Sequence, residues 1–84
     1  MFYTYILYSS ILNRYYIGFT AGRVEERIKK HLANHKGFTS TAKDWVVVYS
    51  ESFQTKQGAV ERERKIKSWK SKIKIEELIK GSIE

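Results

Sequence analysis

The chain reads as an α+β fold, a small three-stranded antiparallel sheet flanked by helices. Three observations predict it. Two runs of aromatic and β-branched residues near the start are separated by only five residues, Ser9 to Asn13. A third apolar run, Trp45-Val46-Val47-Val48-Tyr49, follows a helical stretch. After the second and third runs the apolar spacing changes from every second residue to every third or fourth. The resulting order is strand, strand, helix, strand, helix, helix.

Each element has its own reason. Tyr3 to Tyr8 is a strand because aromatic and β-branched side chains suit a pleated surface. Arg14 to Phe19 is its return, and the short connection makes the pair an antiparallel hairpin. Alternation places Tyr3, Tyr5 and Leu7 on one face of the first strand, and Tyr16 with Gly18 on one face of the second. Whether Tyr5 and Tyr16 share a face depends on a register that the loop does not fix.

From Arg23 to His35 the stripe Val24, Ile28, Leu32 predicts a helix, ended by Lys36 and Gly37. Phe38 to Asp44 is a loop. Trp45 to Tyr49 is apolar on both faces and is expected to be covered on both. A second helix runs near Thr55 to Lys70, with Ala59, Ile66 and Trp69 as its core candidates. Ser71 can cap a last helix, Lys72 to Lys80, in which Ile75, Leu78 and Ile79 face inward and which Gly81 closes.

Composition narrows the function classes. The 84 residues contain no cysteine and no proline, which excludes a disulfide scaffold, a Cys-ligated zinc site and an iron–sulfur site. Such a length predicts one domain, residues 1–84. Met1 to Asn13, the longest uncharged stretch, falls short of the roughly 20 apolar residues that cross a bilayer. It also lacks the basic start and cleavage site of a signal peptide, so no membrane partner and a cytoplasmic location are expected. The net charge is +7, carried in two blocks: residues 14–36 and 56–84 each hold +4, and residues 37–55 hold −1. That is the electrostatic footprint of a polyphosphate binder. Arg62, Arg64, Lys65, Lys67, Lys70, Lys72 and Lys74 form the second block's candidate nucleic-acid surface.

Several residues break the regular pattern. At about 100° per residue, Glu63 lies some 40° from Ala59, inside the apolar arc of the second helix. A carboxylate there must snorkel, pair with a cation such as Lys67 one turn on, or bind a metal. On the first helix, Arg27 and His31 are one turn apart and can both donate to phosphate oxygens. His31 and His35 have metal-ligand spacing, but no third ligand is near in sequence. Six tyrosines, four of them in the first 15 residues, suit a core with surface-reaching hydroxyls, a base-stacking platform or a catalytic phenol.

In this order these residues resemble the GIY-YIG nuclease domain in its small form, over about Phe2 to Ile79. The nuclease domain of the bacterial excinuclease C subunit and several homing endonucleases are related. The second signature triplet stands as Tyr16-Ile17-Gly18. The first stands as Tyr3-Thr4-Tyr5, which keeps only its last tyrosine. Arg27 matches the signature arginine, with His31 one turn on. Glu63, four residues after Ala59, matches the metal-binding glutamate, and Ile66-Lys67 follows it as in the small branch. Phe19 stands where some members carry lysine, so no lysine role transfers. Thr20 is at a position often hydroxylated in this branch.

The resemblance implies a phosphodiester hydrolase, an endonuclease using Mg²⁺ or Mn²⁺, acting on nucleic acid, with DNA the expected substrate and little sequence specificity. Glu63 would ligate the metal and Arg27 would hold the scissile phosphate. Tyr5, Tyr16 or His31 would position or deprotonate the attacking water. A partner protein or a second copy could add specificity. The alternative is a non-catalytic basic nucleic-acid-binding module on the same fold.

Overall fold

The computed structural model describes residues 1–34 and 44–81, with no side-chain description for residues 31–34. It contains β1 (Phe2–Ser9), β2 (Arg14–Thr20), α1 (Val24–Asn34), β3 (Val46–Phe53), α2 (Lys56–Ser68) and α3 (Lys72–Ile79). The fold class and element order are those the sequence predicts. All strand pairs are antiparallel, in the spatial order β2-β1-β3.

The first strand, β1, is therefore the central one. Thr4, Tyr5, Ile6 and Leu7 are each at most 1% exposed, because both faces of β1 are covered. One face carries Tyr5 and Leu7, packed with Val24 and Ile28 of α1 and with Trp45. The other carries Ile6, packed with Ile17 of β2, Ile66 of α2, and Ile75 and Leu78 of α3. The sheet is thus a middle layer with α1 on one side and α2 and α3 on the other.

The β3 expectation is corrected. The strand begins one residue later than predicted and runs on to Phe53. It is an edge strand, with Val46 55% and Val47 40% exposed. A continuous apolar run resembles a doubly covered strand, but here the central position belongs to β1. The register on β1 also slips between Ile6, opposite Tyr49, and Leu7, opposite Val47. A bulge at that point leaves Val48 without its own partner and turns β3.

Local chemistry sets the ends. Thr55 caps α2, its hydroxyl accepting from the Gly58 amide at 3.1 Å. Ser71 caps α3 in the predicted way, accepting from the Lys74 amide at 3.2 Å. Glu25 and Glu26 sit in the first turn of α1, where negative charge offsets the helix dipole. Buried Thr4 donates to the Ala59 carbonyl at 2.7 Å and ties α2 to β1. Gly81 follows α3 at φ +81°, the left-handed geometry that glycine takes without strain. Lys70 takes a similar geometry, φ +48°, just after α2. Trp69 and Ile79 are half-buried at the edge of the core.

The hairpin turn is fastened from a distance. Asp44 accepts from the Ser9 hydroxyl at 2.6 Å, the Ser10 hydroxyl at 2.8 Å and the Ile11 amide at 2.9 Å. The Ser9 hydroxyl also accepts from the Leu12 amide at 3.2 Å. These donors, the Ser9 hydroxyl first, lower the Asp44 pKa to about 2.

Candidate active site

The hairpin register answers the question the sequence left open. Tyr5 lies opposite Gly18, and Leu7 lies opposite Tyr16. Cross-strand partners share a face, so Tyr5, Tyr16 and Gly18 all point to the α1 side. Gly18 is the space that admits the Tyr5 ring. A Cβ on Gly18 would sit 2.7 Å from the Tyr5 hydroxyl oxygen, 2.9 Å from Tyr5 Cζ and 3.3 Å from Tyr16 Cε1.

The Tyr5 hydroxyl is the meeting point of the site. Its pKa is raised, chiefly by burial. A hydrogen bond from Arg27 on α1 works the other way, and the nearby Tyr16 hydroxyl and Glu63 carboxylate raise it further. Groups from β2, α1 and α2 therefore lie within electrostatic reach of the Tyr5 phenol on β1. Tyr16 is half-buried and meets Trp45 edge-on, with ring centroids 6.4 Å apart. Arg27 is exposed, and with Arg23, Lys30, the Glu26 carboxylate and the Thr20–Gly22 turn it lines a polar depression of ≈ 310 Å³ in which three cations outnumber one anion. That depression is open to an anion from solvent.

Glu63 stands where the helical wheel put it. Ala59 and Ile66, its neighbours on the buried arc, are fully buried, and the Glu63 side chain is 15% exposed. Its carboxylate accepts from Lys67 Nζ at 2.7 Å, the i,i+4 pair that the spacing allows. Lys67 is itself 53% exposed, so water limits the strength of the pair. Among the described residues no three His, Cys, Asp or Glu side chains converge on one point. A lone carboxylate of hard oxygen donors fits a cation that keeps much of its water shell, as Mg²⁺ does. It does not fit a closed four-ligand zinc site.

The remaining predicted residues divide. The backbone of His31 lies in α1 one turn after Arg27, but its side chain is outside the described residues, as are His35, Lys36 and Gly37. Arg64, Lys65, Lys70, Lys72 and Lys74 are exposed. Arg62 is turned inward: its side chain is 13% exposed, and Nε bonds Glu51 at 3.1 Å. Its guanidinium also lies 6.0 Å from the centroid of the Trp69 ring. Glu51 accepts a short hydrogen bond from Tyr49 as well, so Arg62 is part of the join between α2 and β3.

Sequence reasoning missed Trp45 as the wall behind Tyr16 and Asp44 as the clasp of the hairpin turn. Trp45 had a usable signal, a large aromatic at the mouth of a strand. Asp44 had none nearby, since its partners lie 33 to 35 residues away.

Among the described residues no helix is long and apolar enough to cross a membrane. Comparison with curated proteins and with solved structures gives no match. The family described as the GIY-YIG catalytic domain matches residues 1–76, nearly the whole chain. The chain belongs to the GIY-YIG family, a family of endonucleases.

Proposed function

We propose that this protein is a divalent-metal-dependent endonuclease that hydrolyses phosphodiester bonds in DNA with little sequence preference. The observation that carries the proposal is Tyr5 and Tyr16 brought together across Gly18, with Arg27 hydrogen-bonded to the Tyr5 hydroxyl and Glu63 within its electrostatic reach. Tyr16, Arg27 and Glu63, from three other elements, all act electrostatically on that one phenol, which packing alone does not require.

The roles follow from the environments. Glu63 would hold Mg²⁺ or Mn²⁺. When bound, the cation polarises the phosphoryl oxygen and stabilises the leaving oxyanion. Arg27, exposed beside an open depression, grips the scissile phosphate and offsets charge that grows on its oxygens. Tyr5 is the positioning residue for Arg27. It is 1% exposed, and burial opposes its ionisation, so it serves as a neutral hydrogen-bond partner. Tyr16 is half-buried and reachable by water, so it is the group assigned to orient the attacking water and, once its own proton has passed to solvent, to take the water's proton as phenolate. Attack forms a new P–O bond and breaks the bond to the leaving sugar oxygen. His31, one turn after Arg27 in the sequence, would by its residue type be a second phosphate donor. Exposed Arg64, Lys65, Lys70, Lys72 and Lys74 supply sequence-independent backbone contacts.

One observation favours a second reading, a non-catalytic nucleic-acid binder. The Glu63 carboxylate already has a cation, Lys67, at 2.7 Å. The two readings separate in a nicking assay on supercoiled plasmid and a branched oligonucleotide, with Mg²⁺, with Mn²⁺ and with EDTA. Cleavage in metal and none in EDTA supports the nuclease. Binding without cleavage in either metal overturns it in favour of the binder.

A further inference from the structure

A pocket of ≈ 410 Å³ lies away from Arg27, between the hairpin turn and the α2–α3 junction. Its floor is apolar, formed by the exposed edges of Ile17 and Ile75 over buried Ile66, with the Tyr15 ring alongside. Its rim is cationic: Arg14, Lys67, Lys70 and Lys72 line it and among the described residues no carboxylate does, although Glu63 pairs with Lys67 and Glu76 accepts from the Tyr15 hydroxyl just outside it. Lys72 reaches across the mouth towards the Asn13 carbonyl, at 3.4 Å. The volume falls in the range of about 300–1,000 Å³ seen for sites that take small ligands.

This combination has a chemical meaning. Cations around a polar pocket suit a phosphate alone, and an apolar pocket without charge suits a hydrocarbon. An apolar floor under a ring of cations suits a ligand with a flat unsaturated face and an attached phosphate. A base-paired duplex offers phosphates, but its base faces are stacked away. An unpaired nucleotide offers both.

We propose that this pocket seats an unpaired nucleotide of the nucleic-acid substrate, with its base against Ile17, Ile75 and Tyr15 and its phosphate among Lys67, Lys70 and Lys72. The inference rests on the nuclease reading and names the substrate class: nucleic acid with a single-stranded segment beside the cleaved strand. Lys67 joins the two sites, since it lines the pocket and pairs with Glu63. A phosphate seated in the pocket competes with Glu63 for that ammonium and leaves the carboxylate open. Substrate with an unpaired segment thereby prepares its own metal site.

The test measures binding in EDTA, so it does not depend on cleavage. The probes are a short blunt DNA duplex and the same duplex with an unpaired oligothymidine tail. Fluorescence anisotropy on wild type is expected to show the tailed duplex bound about tenfold tighter, within what one stacked base contributes. In Lys70→Ala/Lys72→Ala the ratio falls towards one. In Lys29→Ala/Lys56→Ala, which removes equal charge elsewhere, both affinities fall and the ratio stays. Methyl spectra give a second readout, with Ile17 and Ile75 signals shifting saturably as the tailed duplex is added.

A ratio of one in wild type, or a ratio unchanged by Lys70→Ala/Lys72→Ala, overturns the inference. So does an acidic peptide that moves these methyl signals when the tailed duplex does not, which would assign the pocket to a protein partner. Cleavage with no tail preference sinks the pocket and leaves the nuclease standing. Tail preference without cleavage does the reverse.

Discussion

Replacing Gly18 with alanine tests the packing on which the site depends. The added Cβ would lie 2.7 Å from the Tyr5 hydroxyl oxygen and 2.9 Å from its Cζ, and real Cβ atoms do not come that close. Tyr5 cannot swing out, because it is 1% exposed and wedged among Leu7, Val24, Ile28 and Trp45. Overpacking of this kind costs about 1–3 kcal/mol. At roughly 4–8 °C per kcal/mol for a domain of this size, a central value of about 2 kcal/mol lowers Tm by about 8–16 °C.

A double-mutant cycle isolates the contact. Tyr5→Phe alone gives up the hydrogen bond from Arg27 and costs about 1 kcal/mol. In Gly18→Ala/Tyr5→Phe the 2.7 Å clash is gone and the 2.9 Å clash remains. The pair is therefore less destabilised than the sum, by about 1 kcal/mol. Urea denaturation followed by tryptophan fluorescence reads all four proteins, because Trp45 is buried against this cluster. Gly18→Ala within about 0.5 kcal/mol of wild type, or strictly additive effects, would refute the reasoning.

Four further variants test local features of the fold and the basic surface. Asp44 has a pKa lowered from 3.8 to about 2, so its contribution is full above the unfolded value and is lost as pH falls through that window. Asp44→Asn is expected to flatten the acid limb of stability against pH between those values, measured by thermal melts, and an unchanged limb would contradict the clasp. Lys70 holds a left-handed backbone just after α2, so Lys70→Gly is expected to raise stability by about 1 kcal/mol in denaturant; a loss of stability would contradict this. Arg62→Ala is expected to destabilise the fold by about 1–2 kcal/mol through loss of its Glu51 bond and Trp69 contact, with little change in the salt dependence of DNA binding. Lys65→Ala is expected to do the opposite, leaving stability unchanged and reducing the salt slope by about one; identical behaviour of the two variants would remove the distinction.

The element order was legible because each strand and helix carries its own period and its own punctuation. Thr55, Ser71 and Gly81 mark helix ends by chemistry that acts over three or four residues. The anomaly at Glu63 was legible for a similar reason, since a helical wheel needs only one helix. What lay beyond reach depends on distant parts of the chain. The position of β1 at the centre of the sheet is set by pairings with both neighbours, and the valines of β3 look more buried than they are. Whether Tyr5 and Tyr16 share a face is decided by the register, Tyr5 opposite Gly18. Arg62 reads as one more surface cation among many, and only the fold brings Glu51 to it, eleven residues back.

The central claim is that the Glu63 carboxylate is the protein's metal ligand in a hydrolytic site shared with Arg27, Tyr5 and Tyr16. Its most direct test is the Glu63→Gln variant, which keeps size and removes charge. Mn²⁺ affinity is measured by paramagnetic resonance beside plasmid nicking in Mg²⁺, with thermal melts as the folding control. The account predicts a folded protein in which Mn²⁺ binding is lost and nicking falls about a thousandfold, the scale of several kcal/mol of lost charge stabilisation. Folded Glu63→Gln that binds Mn²⁺ and nicks plasmid at the wild-type rate would contradict it.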